Sequence, residues 1–296
     1  MNVASAPTGL RLWVAGARPR TLGAAVSPVI VGTAAAYSDA GHIAWERAVL
    51  ALVVALALQV GGNYANDYSD GVRGTDKDRA GPLRLTASGL ATPAAVRTAA
   101  VCALAVAAVA GLALALIVTP WLLVVGAASI AAAASYTGGP KPYGYRGLGE
   151  LMVLVFFGFV ATAGSTFVQL ERIPPSAWWG SLTVGLLACA ILVTNNIRDI
   201  DTDIVAGKRT LAVRTGSARA RRLYVACIVV AGLAVIPIAV DHPGAAAASL
   251  ALPLAVGPIG LVLRSATPRE LVAALVGTAR LQLVTALLLG IGLWLT

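Results

Sequence analysis

Residues 48–70 read AVLALVVALALQVGGNYANDYSD. The stretch opens as an apolar run of the length a bilayer-crossing helix needs, about 20 residues. It closes on Asn63, Asn66, Asp67 and Asp70. On a helix, residues four apart lie on one face, so Asn63 pairs with Asp67 and Asn66 with Asp70, and all four project from the end of the run in a narrow arc. A greasy helix ending in a cluster of carboxylates and amides defines both the solvent of the chain and the place to look for chemistry.

The rest of the chain agrees about the solvent. Of its 296 residues 58% are hydrophobic and 12% are charged, about half the charge of a soluble domain. Nine apolar runs fall roughly at 21–38, 48–66, 95–118, 120–136, 148–170, 178–197, 222–240, 244–263 and 279–296. Small residues crowd them, as close helix packing in lipid favours, and runs of this length are too long for barrel strands. The expected fold class is all-α membrane, with residues 1–296 forming one polytopic domain. Of 22 Lys and Arg residues, only Arg47 and Arg172 fall in the odd-to-even connections. That asymmetry predicts a cytoplasmic N-terminus and an extracytoplasmic C-terminus in a multi-pass cell-membrane protein. The net charge of +9 follows from the same bias and from attraction to anionic membrane lipid, and calls for no nucleic acid. Met1 to Leu10 lacks the basic start of a cleaved signal. Cys102, Cys189 and Cys227 all lie in apolar runs and read as small buried hydrophobes.

A second cluster ends the sixth run: NNIRDIDTD, residues 195–203. Here Asn195, Asp199 and Asp203 stack at i, i+4 and i+8, with Arg198 among them. Like the first cluster it is followed by a glycine and a basic stretch, which hints at an internal repeat. Bunched carboxylates at a membrane helix end repel one another, and a divalent cation resolves the repulsion. Oxygen-only ligands favour Mg2+, which takes one or two carboxylates and completes its shell with water and substrate phosphate. The cations after the clusters, Arg73, Lys77, Arg79 and Arg84, then Lys208, Arg209 and Arg214, suit phosphate oxygens. Solvated helix caps and ordinary positive-inside charge are the competing readings. Between the fourth and fifth runs, SYTGGPKPYGYRGLGE, residues 135–150, is a rigid Gly/Pro turn. It offers Tyr136, Tyr143, Lys141 and Arg146 as candidates for holding an aromatic acid or a diphosphate.

With these motifs in order, the chain resembles the intramembrane aromatic prenyltransferases of the UbiA superfamily. The Asn63/Asn66/Asp67/Asp70 and Asn195/Arg198/Asp199/Asp203 patterns carry the resemblance. ARPRT at 17–21, YTGGP at 136–140 and GKRTLAVR at 207–214 point to the branch that acts on 1,4-dihydroxy-2-naphthoate. One position departs from many members: a third Asp of the first motif is replaced by Gly74, with Asp76 two residues on. The resemblance implies a bundle around a central cavity with both motifs at its cytoplasmic mouth. Asp67, Asp70, Asp199 and Asp203, helped by Asn63 and Asn195, would hold Mg2+. Asn66, Arg84, Lys77, Arg79, Lys208 and Arg209 would contact a polyprenyl diphosphate, and Arg198 and Lys141 would join the chemistry. The implied reaction transfers the polyprenyl group to 1,4-dihydroxy-2-naphthoate with loss of CO2 and diphosphate. Relatives acting on 4-hydroxybenzoate or homogentisate are the neighbouring alternatives. A cation transporter is a distant one, because transporters place their carboxylates near mid-membrane.

Overall fold

The computed structural model describes residues 7–75, 83–265 and 267–295. Lys77 and Arg79, with Asp76 and Asp78, lie outside the described residues. Among the described residues, and leaving aside short 3-10 turns and the 3-10 segment Pro243–Ala251, twelve helices follow one another: α1 (Gly9–Ala17), α2 (Gly23–Ala40), α3 (Trp45–Arg73), α4 (Pro93–Ile117), α5 (Trp121–Ser135), α6 (Gly149–Leu170), α7 (Pro175–Arg198), α8 (Ile200–Val205), α9 (Leu211–Thr215), α10 (Ser217–Asp241), α11 (Pro253–Arg264) and α12 (Pro268–Trp294). The described residues contain no strand.

Each of the nine apolar runs is helical, but they are not nine equal spans. Six helices (α3, α4, α6, α7, α10 and α12) are long and apolar enough to cross a bilayer. Two more candidates are bent pairs: Gly9–Thr21 with α2, at 54°, and Pro243–Ala251 with α11, at 42°. The fourth run yields only the 15 residues of α5, about 22 Å of helix against a hydrocarbon core of about 30 Å. The breaks have local causes. Arg18 adopts a left-handed φ of 57° just before Pro19, which ends α1 and turns the chain into α2. Gly74 takes the same left-handed region and stops α3 directly after the first motif. Starts are equally explicit. Thr92 caps α4 ahead of Pro93, and Thr267 and Glu270 form a capping box on α12.

Small residues let the helices close up, as expected in lipid. A side chain at Gly32 of α2 would run into the Thr162 carbonyl of α6, and Thr166 Oγ1 donates to the Gly32 carbonyl at 2.8 Å. A Cβ at Gly185 of α7 would stand 2.7 Å from the Gly158 Cα of α6. Around this seam α12 lies against α2, α7 and α11, and α3 runs along α4. Trp45, Trp121, Trp178, Trp179 and Trp294 are all exposed. They stand at the starts of α3, α5 and α7 and at the end of α12, hence at one end of the bundle, the pattern of an interfacial aromatic belt. Cys189 and Cys227 are buried as expected, but Cys102 faces outward on α4.

Residues 154–163 of α6 are π-helical, a distortion concentrated at functional sites. This segment forms one wall of a cavity of about 390 Å³ between α3, α4, α5 and α6. Its lining is chiefly aliphatic and aromatic, including Leu58, Leu122, Phe156 and Phe157; Gln59 and Ser129 are among the few polar groups. Tyr143 also lines the cavity, so the cavity reaches the turn that follows α5.

Candidate active site

Both acidic motifs end their helices on the same side of the bundle, opposite the tryptophan belt. α3 delivers Asp67 and Asp70, and the junction of α7 with α8 delivers Asp199 and Asp203. All four are buried, from 0% exposed for Asp67 to 6% for Asp203. Carboxylates withdrawn from water this far need compensating donors, and the chain supplies them.

Asp70 is the junction of the two motifs. Its Oδ1 accepts the Tyr145 hydroxyl at 2.7 Å, and its Oδ2 accepts Lys208 Nζ at 3.2 Å. Lys208 is itself buried. Its ammonium lies 4.8 Å from the Tyr145 ring centroid, and its backbone N–H donates to the Asp203 carbonyl at 2.8 Å. The stretch after the second motif is thus folded onto the first. Arg209 contributes through its backbone, donating to the Tyr145 carbonyl at 2.9 Å. Burial, and then the Asp70 charge, push the Tyr145 phenol far above its ordinary value. It is therefore a fixed hydrogen-bond donor. Burial alone raises Tyr143 to about 12.

In the second motif Arg198 grips Asp199 with two parallel bonds, Nε to Oδ1 and Nη2 to Oδ2, each 2.7 Å. Asp67 has a more structural task. Its two oxygens accept the backbone N–H groups of Leu85 (2.7 Å) and Thr86 (2.8 Å), capping the turn that begins there. Asn63 Nδ2 donates to the Ala17 carbonyl at 3.0 Å, tying α3 to α1. Asn66 Oδ1 accepts the Thr137 hydroxyl at 2.9 Å. Arg73 donates to the carbonyls of Thr137 and Gly139, the latter at 2.6 Å. These bonds seat the Gly/Pro turn on the end of α3.

Lys141 and Arg146 are exposed and form no hydrogen bond or ion pair within the described residues; each sits on the outward side of the tight turn, whose inward side is taken by Tyr143 and Tyr145. The Arg209 side chain is exposed. Arg84 is half-buried beside the turn capped by Asp67, and Asn195 is half-buried at the end of α7. Tyr136 packs edge-on against Tyr143, 5.4 Å between ring centroids. Tyr145 was not among the sequence candidates. Its only signal was membership of a turn with three tyrosines, and spacing alone did not choose among them.

The donor set fits Mg2+. Every candidate ligand is an oxygen, and the buried cations Lys208 and Arg198 stand beside the carboxylates. Among the described residues no three acidic, His or Cys side chains stand together as a metal-holding group; Mg2+ would take one or two carboxylates and fill its shell with water and phosphate.

Known proteins that share this sequence and this fold define its class as membrane prenyltransferases. The profile of the UbiA prenyltransferase family matches residues 25–284. The chain is 51% identical to a 1,4-dihydroxy-2-naphthoate octaprenyltransferase of Mycobacterium tuberculosis (strain ATCC 25618 / H37Rv), over 93% of this chain and 94% of that one. It is 38% identical to the enzyme of the same name from Escherichia coli (strain K12), over 96% and 95%. Among solved structures, a UbiA homolog from Aeropyrum pernix K1 superposes with a TM-score of 0.65 at 18% identity, covering 91% of this chain and 96% of that one. One from Archaeoglobus fulgidus, bound to GPP and Mg2+, gives 0.63 at 13%, covering 96% and 99%. The chain belongs to the UbiA prenyltransferase family. It is a transferase and a multi-pass membrane protein.

Proposed function

We propose that this enzyme transfers a polyprenyl group from polyprenyl diphosphate to 1,4-dihydroxy-2-naphthoate, releasing diphosphate and CO2, in menaquinone biosynthesis. The observation that carries the reading is Asp70, buried between Tyr145 and Lys208. Tyr145 lies two residues, at most about 7 Å of chain, from Tyr143 on the wall of the apolar cavity. A polar, carboxylate-rich mouth on an apolar chamber is the shape needed by a substrate with a diphosphate head and a hydrocarbon tail. The relatives named for octaprenyl transfer to this acceptor supply its identity.

Asp67, Asp70, Asp199 and Asp203 are the oxygen donors for Mg2+, with Asn63 and Asn195 beside them; Asp67 contributes only the lone pairs its two amides leave. When bound, Mg2+ supplies positive charge at the diphosphate oxygens. The chain does the rest. Lys208 holds a buried positive charge against Asp70. Arg198 fixes the direction in which Asp199 presents its carboxylate. Tyr145 keeps its proton and orients Asp70. The apolar chamber takes the hydrocarbon tail and holds its allylic end at the mouth, where the cation that develops as the C–O bond breaks meets the aromatic ring. The C–O electron pair leaves with the diphosphate. The ring forms the new C–C bond, and the pair from the bond to the departing CO2 restores its aromaticity. Lys141 and Arg146, exposed beside the mouth, are available to draw in the anionic substrates from solution.

Counting each bent pair as one crossing and the short α5 as a further one gives nine; with the mouth and the N-terminus on the cytoplasmic side and membrane lipid around the bundle, a reporter fused to the C-terminus reads extracytoplasmic. The decisive experiment gives purified protein 1,4-dihydroxy-2-naphthoate and octaprenyl diphosphate, with Mg2+ or with excess EDTA. Prenylated, decarboxylated product that disappears with EDTA is the expected result. Product from 4-hydroxybenzoate but not from the naphthoate would overturn the acceptor. Full activity in EDTA would overturn the metal.

A further inference from the structure

The mechanism above makes no use of Glu150, the second residue of α6. It is 9% exposed. Its Oε1 accepts Asn196 Nδ2 at 2.9 Å, and its Oε2 is buried with no hydrogen-bond partner among the described residues. No Lys, Arg or His among the described residues pairs with it. The titratable groups that face it are the thiols of Cys189 on α7 and Cys227 on α10. Cys189 Sγ also donates to the Glu150 backbone carbonyl at 3.2 Å. The Asn196 amide and Glu150's own backbone N–H, at the start of α6, favour the carboxylate, but neither these nor two neutral thiols bring the full positive charge that a buried carboxylate needs. An unpartnered carboxylate in such a place takes up a proton, and a neutral carboxyl can still accept the Asn196 bond with its carbonyl oxygen.

We propose that Glu150 remains protonated and serves as a neutral positioning residue that locks the second acidic motif against the tyrosine turn. Its location gives it this reach. Glu150 begins α6 four residues after the Tyr143–Arg146 turn, which delivers Tyr145 to Asp70. Asn196 stands two residues before Arg198, which aims Asp199. The Glu150–Asn196 bond therefore closes a circuit: Asp70 to Tyr145, along the turn to Glu150, across to Asn196, and on through Arg198 to Asp199. It is the one side-chain hydrogen bond among those resolved that joins the start of α6 to the second motif directly. It adds to the Lys208–Asp70 pair and the Arg209–Tyr145 backbone bond a link that carries no net charge and so does not compete for the metal or the diphosphate.

The test has an arm that does not depend on the proposed reaction. Infrared spectra of purified wild-type protein minus Glu150→Gln should contain the C=O stretch of a protonated carboxyl, still present at about pH 8. No such band, or a carboxylate band in its place, overturns the proposal. The second arm is kinetic and rests on the proposed function. Glu150→Gln mimics a neutral acid and should keep kcat within about twofold. Glu150→Ala and Asn196→Leu should each lower kcat about tenfold or more and leave the KM for prenyl diphosphate nearly unchanged. If Glu150→Gln is as impaired as Glu150→Ala, the charge is what matters and the proposal fails. If Glu150→Ala is fully active, the strut is dispensable and it fails as well. Should Glu150→Ala not fold, the infrared difference and the isosteric Glu150→Gln still decide.

Discussion

Replacing Arg198 by lysine isolates geometry from charge at the second motif. In the native site the guanidinium makes two charge-assisted bonds of 2.7 Å to Asp199, and both side chains are only 3% exposed. Lysine keeps the positive charge but has one nitrogen where the fork had two, so one of the two bonds is lost. A hydrogen bond to a charged group is worth about 1.5–3 kcal/mol. If Asp199 must be held in this orientation as the diphosphate departs, the whole of that loss appears in kcat, a fall of roughly 10- to 150-fold. Arg198→Ala removes the charge as well, and breaking a buried pair costs about 3–5 kcal/mol, enough to lower the melting temperature visibly. The assay is single-turnover prenyl transfer by purified protein at saturating Mg2+ and diphosphate, with thermal unfolding measured in parallel. Arg198→Lys with kcat within twofold of wild type would refute the reasoning. A lower melting temperature with unchanged kcat would refute it too, by reducing the pair to a structural brace.

Asp67→Ala should cost stability as well as activity, because it strips the acceptor from the Leu85 and Thr86 amides; two such bonds amount to about 3 kcal/mol or more, and an unchanged melting temperature would remove the capping role. Tyr145→Phe deletes the donor to Asp70 and should lower kcat/KM about tenfold. Because the Tyr145 phenol is pushed up by burial and by Asp70, it binds its proton more tightly folded than unfolded. Its contribution is therefore full below the free-chain value near 10 and fades only above it. The rate profiles of wild type and Tyr145→Phe should run parallel from about pH 6 to 9, and a limb present in one and missing in the other would contradict this.

How much of this could be read from the sequence depended on the length scale of the cause. A bilayer imposes its thickness on every crossing, so the apolar runs announced the helices. The left-handed residue at Arg18 and the shortness of α5 are local events that hydropathy does not record. The i, i+4 spacing singles out Asn63 with Asp67 on the one helix α3, and Asn195 with Asp199 and Asp203 across the α7–α8 junction, where the helix breaks at Asp199. Their partners are hidden because those come from elsewhere in the chain: Leu85 and Thr86 to Asp67 through a loop, Lys208 to Asp70 from 138 residues further along. The Gly/Pro turn shows the limit best. Sequence could nominate its cations and tyrosines, but the tightness of the turn decides that Tyr145 faces Asp70 while Lys141 and Arg146 face outward. The Glu150–Asn196 bond left no pattern at all, since a glutamate at a helix start also satisfies an ordinary preference for the helix dipole.

The π-helical stretch of α6 has a bearing on how such an enzyme can diversify. Each i→i+5 turn carries one residue more than its α counterpart, so the side chains beyond it are rotated relative to those before it. In Leu154–Ala163 this rotation sets which residues follow Phe156 and Phe157 around the chamber wall. Losing a single residue there would turn one part of the wall past the other, and would also rotate Gly158 and Thr162 in their seams with α7 and α2. A descendant of this chain could thus acquire a differently shaped hydrocarbon chamber through one small deletion and repacking of those two seams, without a single exchange among the residues that handle the diphosphate.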